Sequence, residues 1–315
     1  MSTDDDPSVQ AGATAVDARA GTRAAARPGQ PRLSVVIPSY RAEATLARVL
    51  TALGPQVRGR AREVIVVDSS ADGSAARVCA RFPWVRLIEL DERTLPGRAR
   101  NIGALAAESD RLAFLDADVV PEEGCLDALE RRLVPGVDLV VGAVCNGTPR
   151  SPTGTAGYLL EFLDFAPFRR TPPKHGVGCA LLVRRSAFDR VGGFPEDLWP
   201  AEDTVFSLRV TECSPLEFVT TARVAHLNRR GLRPYLAHQR VLGASFALAS
   251  KHAALPGSRF AAPPFVFVAG ALRLASLALR LRHHPRAALA AFALVPWLVL
   301  GLAAWNLGAI SARAS

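Results

Sequence analysis

The chain has 315 residues, of which 38 are Lys or Arg and 29 are Asp or Glu, giving a net charge of +9. Hydrophobic residues make up 49% and charged residues 21%, which excludes a wholly disordered chain and allows one large or two modest domains. Five scattered Cys residues without a C-x-x-C pair exclude a disulfide-stapled miniature and argue against a zinc ribbon or a thioredoxin-like site.

The first 31 residues are predicted to be a disordered tail, because they are rich in Ala, Gly, Thr and Asp and show no apolar period. Asp4, Asp5 and Asp6 stand where a secretory signal would carry positive charge, and no apolar segment follows. We therefore expect no signal peptide.

From Leu33 onward, short β-branched apolar runs alternate with segments of helical periodicity. The pattern predicts strands over 33–37, 63–67, 85–89, 112–115, 139–144 and 180–183. It predicts helices over 42–53, 98–107, 125–133, 185–191 and 203–212, and a further helix that begins at residue 74. Residues 146–178, rich in Gly, Pro and Thr, are expected to form a mobile segment. The alternation predicts an α/β, Rossmann-like fold with a mostly parallel sheet, in which ligands bind at the carboxyl ends of the strands.

The last part of the chain is apolar. Residues 287–310 form a 24-residue window without a charged side chain, about 36 Å long as a helix and so able to cross a bilayer core of about 30 Å. Residues 264–281 are also apolar but contain Arg273 and Arg280, and residues 283–286 are predicted to turn the chain between the two. Membrane-associated helices are expected here, with core helices of a soluble domain as the alternative.

The positive charge is almost entirely Arg, since Lys174 and Lys251 are the only two lysines in the chain. Such a bias is typical of a compositional preference, and no helix-turn-helix, zinc-finger or RNA-binding motif accompanies it. We expect no nucleic-acid partner. Arg residues beside an apolar segment fit the cytoplasmic surface of a membrane better.

Three acidic residues follow predicted strands. Asp68 closes the second strand, and Asp116 and Asp118 follow the fourth. Alternate residues of an extended segment point the same way, so both carboxylates of Asp116-Ala117-Asp118 can face one ligand, and such oxygen ligands suit Mg²⁺ or Mn²⁺. A D-x-D tripeptide by itself is usually a solvated turn. Here the tripeptide follows a buried strand, and this position favours a functional metal site.

Six segments in this order resemble the motifs of family 2 glycosyltransferases, and the resemblance runs from about residue 33 to about 240. They are Leu-Ser-Val-Val-Ile-Pro-Ser-Tyr at 33–40, Val-Ile-Val-Val-Asp-Ser-Ser-Ala-Asp-Gly-Ser at 64–74, Arg-Ala-Arg-Asn-Ile-Gly at 98–103, Phe-Leu-Asp-Ala-Asp at 114–118, Gly-Gly-Phe at 192–194 and Glu-Asp at 202–203.

The resemblance implies a glycosyltransferase A-type fold that binds a nucleotide sugar and inverts the anomeric carbon. By position, Asp68 matches the acid that contacts the base, Pro38 and Tyr40 match the loop lining the nucleoside pocket, and Arg100 and Asn101 match residues near the nucleotide.

For the chemistry, Asp116 and Asp118 match the metal–diphosphate motif, with Asp118 as the direct ligand. Asp203, preceded by Glu202, matches the catalytic base, and His226 stands where some members place a histidine near the metal. These roles agree with the reaction: the leaving diphosphate needs a divalent ion as Lewis acid, and the attacking hydroxyl needs a carboxylate base from the opposite face of the sugar.

Alternatives remain open at several residues. Glu202 and Asp203 could be an ordinary acidic first turn of a helix, and His226 could be a structural histidine. Ser69 stands where the family usually has a second acid, and this departure is the only support for the alternative of a non-catalytic nucleotide-binding scaffold; a nucleotidyltransferase is a third possibility. No Q-x-x-R-W signature of processive synthases is present, so a single-transfer enzyme is favoured.

The sequence thus predicts a catalytic domain over 32–240 and a helical, membrane-associated region over 241–315. We expect an inverting glycosyltransferase that uses Mg²⁺ or Mn²⁺ and moves a sugar from a nucleotide-sugar donor to a lipid-linked or carbohydrate acceptor. Such an enzyme would serve cell-envelope polysaccharide or glycolipid synthesis. Its expected location is the cell membrane, with the catalytic domain in the cytoplasm, because Arg280, Arg282 and Arg286 precede the last apolar segment.

Overall fold

The computed structural model describes residues 31–169, 171–249 and 265–314. Apart from Pro31, the tail predicted over residues 1–31 lies outside the described residues.

An eight-stranded sheet forms the centre of the fold, with the strand order β3-β2-β1-β4-β7-β6-β8-β5. The strands are β1 (Leu33–Ser39), β2 (Arg62–Asp68), β3 (Val85–Glu89), β4 (Arg111–Phe114), β5 (Val119–Pro121), β6 (Leu139–Asn146), β7 (Leu181–Arg184) and β8 (Leu216–His226). The β3-β2-β1-β4 half is parallel, and β6 pairs in parallel with β8, whereas β7 and β5 pair only antiparallel. The predicted α/β class is confirmed, with a sheet that is mixed at β7 and β5.

Helices connect the strands and extend the fold at its carboxyl end. They are α1 (Glu43–Val57), α2 (Ser74–Cys79), α3 (Pro96–Ala106), α4 (Cys125–Arg132), α5 (Pro152–Glu161), α6 (Arg185–Arg190), α7 (Glu202–Thr211), α8 (Leu232–Ala249), α9 (Phe265–Leu281), α10 (Pro285–Ala293) and α11 (Val295–Ala314). Short 3-10 turns lie at 163–165 and 178–180.

Two packing features place helices against the parallel half of the sheet. Gly103 of α3 lies so close to β1 that a Cβ there would be 2.3 Å from a methyl carbon of Val36, so only glycine permits this approach. Behind β4, Phe114 packs edge-to-face on Phe194, with ring centroids 4.9 Å apart, and Phe194 stacks on Phe206 of α7 at 4.2 Å. This aromatic cluster fixes the start of α7 near the end of β4.

Two predictions about the central part of the chain need correction. The mobile segment expected over 146–178 contains α5, whose start is an N-cap, Ser151, that accepts a hydrogen bond from the Gly154 N–H and is followed by Pro152. Serine at the N-cap followed by proline is a helix-start signal. No strand was predicted over β8, an eleven-residue strand that pairs with both β6 and β5.

The apolar window 287–310 does not form one helix. Helix α10 ends at Ala293 and α11 begins at Val295, with Pro296 in the first turn of α11. Proline lacks the N–H that would continue a helix from four residues before it, so the break follows from the sequence. The turn predicted over 283–286 does separate α9 from α10.

Candidate active site

The carboxyl ends of β1, β2 and β4 meet at one edge of the sheet, since Val36 of β1 pairs with Ile65 on one side and Phe114 on the other. Asp68, the last residue of β2, is only 2% exposed. Its carboxylate accepts hydrogen bonds from the backbone N–H and the hydroxyl of Ser70, both at 3.0 Å. The loop after β2 is therefore held by the acid that the sequence assigned to base recognition.

An aromatic ring lies beside this loop. Tyr40 follows β1 and is 37% exposed, and Pro38, half-buried, pairs with Val67. The guanidinium groups of Arg93 and Arg41 lie 4.8 Å and 5.3 Å from the centre of the Tyr40 ring. The edge thus carries a partly exposed aromatic ring with two guanidinium groups over it, a combination of aromatic and positive groups suited to a nucleotide.

A buried guanidinium joins the acidic groups of the site. Arg100 of α3 is 3% exposed, and it donates from Nη2 to Asp116 Oδ1 at 2.6 Å and from Nη1 to Glu202 Oε1 at 2.5 Å. Burial by itself would lower the pKa of this guanidinium, but the charges of Asp116, Glu202 and Asp203 outweigh burial and raise it. Arg100 is therefore charged, and it contacts protein carboxylates from within the fold.

Negative charge exceeds positive charge around Arg100. Burial raises the pKa of Glu202 to about 7, with Asp203 acting in the same direction and Arg100 opposing it. Glu202 Oε2 has no hydrogen-bond partner among the described residues. Burial and the charges of Asp116, Asp203 and Asp118 likewise raise the pKa of the Cys179 thiol well above its ordinary value. The carboxylates of Asp116 and Glu202, which bond Arg100, and of Asp203, which lies beside it, thus share the volume around this buried guanidinium.

Asp203 reaches this volume from the start of α7. Its Oδ2 accepts the backbone N–H of Gly178 at 2.7 Å, and its Oδ1 accepts the N–H of Thr204 at 2.6 Å. A Cβ at position 178 would lie 2.7 Å from Arg100 Nη2 and 3.3 Å from Asp203 Cβ, so the glycine permits the close approach of all three. The structure thereby brings Asp203 next to the Arg100–Asp116 pair.

Asp118 and His226 form the second half of the site. Oδ1 of Asp118 lies 3.8 Å from Nε2 of His226, the last residue of β8, which is buried. Two ligands of one ion at about 2.1 Å each can be no more than about 4.2 Å apart, so this pair fits a shared divalent cation. Within residues 31–169, 171–249 and 265–314, no group of three or more His, Cys, Asp or Glu side chains is placed to hold a metal. The remaining positions would fall to water and ligand oxygens, as Mg²⁺ and Mn²⁺ accept.

A chain of hydrogen bonds fixes the tautomer of His226. The backbone N–H of Thr148 donates to Asn146 Oδ1, which identifies that atom as an acceptor. Asn228 Nδ2 donates to the same Oδ1 at 3.3 Å and to the backbone carbonyl of His226 at 3.1 Å, so Asn228 Oδ1 faces His226 Nδ1 at 3.0 Å. His226 therefore donates from Nδ1 to Asn228 Oδ1, and its Nε2 faces Asp118.

Asn101 serves a different contact in the structure. Its side-chain amide accepts from the N–H of Phe194 and donates to the carbonyl of Phe194, both at 2.9 Å, and it also donates to Glu196. The residue that the sequence placed near the nucleotide thus holds the Gly192-Gly193-Phe194 turn to α3.

Three contributors to the site were not singled out from the sequence: Gly178, Asn146 and Asn228. Asn146-Gly147-Thr148 is a typical turn sequence, which could have indicated Asn146. Gly178 has no local signal in the sequence, since its partner Asp203 lies 25 residues away, whereas Asn228 stands two residues after its partner His226 and contacts Asn146 from 82 residues away.

Comparison with known proteins gives a consistent result. The sequence model of glycosyl transferase family 2 matches residues 34–192. The pre-mycofactocin glycosyltransferase of Mycobacterium tuberculosis is 31% identical over 239 residues, covering 71% of this chain and 49% of that protein. Glycosyltransferase AglE of Haloferax volcanii is 28% identical over 190 residues, covering 58% of this chain and 62% of its own length. The chain spans about half to three fifths of the length of these relatives.

Two solved structures share the fold. The mannosyltransferase PcManGT from Pyrobaculum calidifontis, in complex with GDP-Man and Mn²⁺, has a TM-score of 0.60 at 21% identity, covering 90% of this chain and 87% of its own. Residues 1–349 of S. aureus TarS, in complex with UDP-GlcNAc, give a TM-score of 0.53 at 14% identity, covering 90% and 92%. At these identities the likeness establishes the architecture alone.

Proposed function

The chain belongs to glycosyl transferase family 2, and we propose that it transfers a sugar from a nucleotide-sugar donor to an acceptor hydroxyl with inversion at the anomeric carbon. One observation carries this proposal: Asp203 lies beside Gly178 and the Arg100 guanidinium, and Arg100 donates to Asp116, although Asp203 is far along the chain from the Asp116-Ala117-Asp118 segment. Direct displacement needs a base and a stabilised leaving group on opposite sides of one carbon, and these carboxylates supply both.

In this proposal Asp203 is the catalytic base. Its two oxygens are held by the N–H groups of Gly178 and Thr204, which fix the plane of the carboxylate and leave lone pairs for the incoming hydroxyl. The proton of the acceptor moves to Asp203 as the new bond forms. General base catalysis of this kind contributes about 10²–10⁴-fold to a rate.

The diphosphate of the donor is proposed to lie over Asp118 and His226. A bound Mg²⁺ or Mn²⁺ would neutralise charge on the leaving diphosphate. Oδ1 of Asp118 and Nε2 of His226 would hold that ion, and the Nδ1–H bond to Asn228 keeps the lone pair of Nε2 available. The structure of PcManGT in complex with GDP-Man and Mn²⁺, which shares the fold, supports this assignment.

Arg100 and Glu202 are proposed as positioning residues. Arg100 fixes Asp116 Oδ1 at 2.6 Å, and Glu202 holds the other arm of the guanidinium. Neither group reaches the surface, so both act through the carboxylates that they orient.

The nucleoside is proposed to bind at the ends of β1 and β2. Tyr40 offers the stacking ring, Pro38 lines the wall, and Asp68 recognises the base either directly or through the Ser70 loop that it holds. For the acceptor, we propose a lipid-linked or carbohydrate hydroxyl and a place for the enzyme at the cytoplasmic face of the cell membrane. Exposed apolar residues in the carboxy-terminal helices support the membrane location.

The test uses UDP-GlcNAc and GDP-mannose, each with Mn²⁺, as probes. We expect one of them to raise the melting temperature of the wild-type chain and to be turned over. Asp203→Asn keeps an oxygen for the Gly178 N–H, so the donor should still stabilise this variant while turnover falls at least about 100-fold. The matched control is Asp189→Asn, at an exposed position of α6, which should turn over the donor as the wild type does.

Other outcomes would contradict parts of the proposal. Full turnover by Asp203→Asn would remove the base assignment. In Asp118→Ala we expect donor binding to lose its dependence on Mn²⁺, and unchanged metal dependence would remove the metal assignment. Donor binding without any turnover would favour a scaffold, and pyrophosphate release from a nucleoside triphosphate would favour a nucleotidyltransferase.

A further inference from the structure

The last three helices expose apolar side chains to solvent. In α11, Val295, Val299, Ala303 and Leu307 recur every four residues, and all four are exposed. On the opposite face, Leu298, Leu302, Trp305 and Ala309 are buried. Helix α11 is therefore apolar on both faces, but among the residues that the structure describes only one of these faces is covered.

The neighbouring helices continue this pattern. On α10, Leu289 is 71% exposed and Phe292 is 77% exposed. On α9, Leu272 and Leu279, which are seven residues apart and so on nearly one face, are also exposed. Uncovered apolar faces on three consecutive, mutually packed helices are typical of an interaction surface.

The packing of α11 opposes a transmembrane role. Among the described residues, one helix is long and apolar enough to cross a bilayer, with its window at Val295–Ala312, and 39% of that window is buried in the protein. A Cβ at Gly243 of α8 would lie 1.8 Å from the carbonyl oxygen of Trp305, and one at Gly308 would lie 1.9 Å from that of Arg240. The backbones of α8 and α11 are thus in direct contact. If α11 crossed a bilayer, either α8 would have to enter the bilayer with it or this contact would have to break.

Helix α8 is itself unsuited to a hydrocarbon core. It exposes Arg233 and Arg240. Its other side is tied to the sheet domain, because His238 and Gln239 bond the buried carboxylate of Glu161 on α5 at 3.0 Å and 2.7 Å. Since charged groups are costly in hydrocarbon, α8 and the α11 face against it stay outside the bilayer.

The charge of this part of the chain identifies the partner. No Asp or Glu follows Glu217, whereas twelve Lys or Arg residues lie between Phe218 and the end of the chain, more than the net +9 of the whole. At the turn between α9 and α10, Arg282 and His283 are exposed next to the apolar faces. Apolar side chains with cations beside them match a bilayer surface that contains anionic lipids.

We propose that α9, α10 and α11 bind flat on the surface of an anionic bilayer, with their exposed faces at the headgroup–acyl boundary and without crossing it. This surface, which includes Leu272, Leu279, Leu289, Phe292, Val299 and Leu307, is a site of reversible attachment. This inference rests on the proposed membrane location of the enzyme and specifies how the chain would bind there. The attachment itself does not require sugar transfer.

Vesicle flotation of the full chain tests the proposal. We expect binding to phosphatidylcholine vesicles that contain phosphatidylglycerol, weaker binding at high salt, and release by alkaline carbonate. The variant Leu289→Glu with Phe292→Glu should partition at least about tenfold more weakly, since two exposed side chains lose their burial in lipid. The matched control is Leu105→Glu on α3, a leucine that is 87% exposed outside this surface and should leave binding unchanged.

Four results would overturn the proposal. They are no binding of the wild type to anionic vesicles, binding by the double variant equal to that of the wild type, retention of the protein on the vesicles after carbonate treatment, and a stable dimer that the double variant no longer forms. Retention would indicate a true span, and the dimer would indicate a second copy as the partner. Stabilisation of each variant by a nucleotide sugar with Mn²⁺ is measured in parallel. It shows whether the fold is intact and reports on the proposed function separately from attachment.

Discussion

The Glu202 carboxyl provides a quantitative test of the electrostatics of the site. It is buried beside Asp203, and its pKa is raised from 4.5 to about 7, mainly by burial. The unfolded chain releases this proton near pH 4.5, whereas the folded protein holds it to about pH 7. Between these values the folded state binds more protons, so the free energy of unfolding falls as the pH rises. At 1.36 kcal/mol per pKa unit, the loss is about 3 kcal/mol.

The substitution Glu202→Gln removes the titrating proton while keeping an oxygen for Arg100. We expect the free energy of unfolding of this variant not to show the fall between about pH 4.5 and pH 7. Relative to the wild type, the variant should therefore become more stable by about 3 kcal/mol across that window. Urea unfolding followed by tryptophan fluorescence, with EDTA present to exclude metals, measures the difference at each pH. Glu123→Gln, at an exposed position, serves as the control and should follow the wild type.

Parallel pH profiles for wild type and Glu202→Gln would refute this reasoning. They would mean that the ion pair with Arg100 offsets burial in full, leaving Glu202 ionised across the range. A wild-type free energy of unfolding that rises relative to that of the variant as the pH increases towards about 4.5 would show that the pKa of Glu202 is lowered by Arg100 instead of raised by burial.

Two further predictions concern metal binding and helix packing. Asn228→Ala removes the acceptor that keeps the proton on His226 Nδ1, so calorimetric titration should show about 10–100-fold weaker Mn²⁺ binding. Unchanged affinity would refute the role of the Asn228–His226 hydrogen bond in metal binding. Gly243→Ala forces a Cβ against the backbone of Trp305 and should lower the free energy of unfolding by about 1–3 kcal/mol in thermal or urea unfolding. Gly54→Ala, where the nearest atom lies 3.8 Å from the new Cβ, should be neutral or stabilising by up to about 1 kcal/mol, and an equal loss in both variants would contradict the packing argument.

Much of the parallel half of the sheet, where we propose that the nucleotide binds, was predictable. β1 and β2 are short β-branched runs and β4 is a short apolar run, so their buried character and parallel order follow from local composition and from the helices between them. Asp68 and Asp116 come directly after such runs, and strand ends in this fold meet at one edge. The break before Pro296 and the start of α5 at Ser151 were also present in the sequence, as proline and N-cap signals.

Only the tertiary structure decided how the charged groups are paired. Arg100 meets Glu202 across 102 residues, and the Asp203 carboxylate reaches the N–H of Gly178 because a residue without a side chain stands there. The tautomer of His226 likewise depends on contacts between β6, β8 and the turns after them. Local sequence fixes which residues form strands and helices through backbone preferences and apolar periodicity. The partner of a buried charge is set by packing between distant segments, which short-range patterns do not encode.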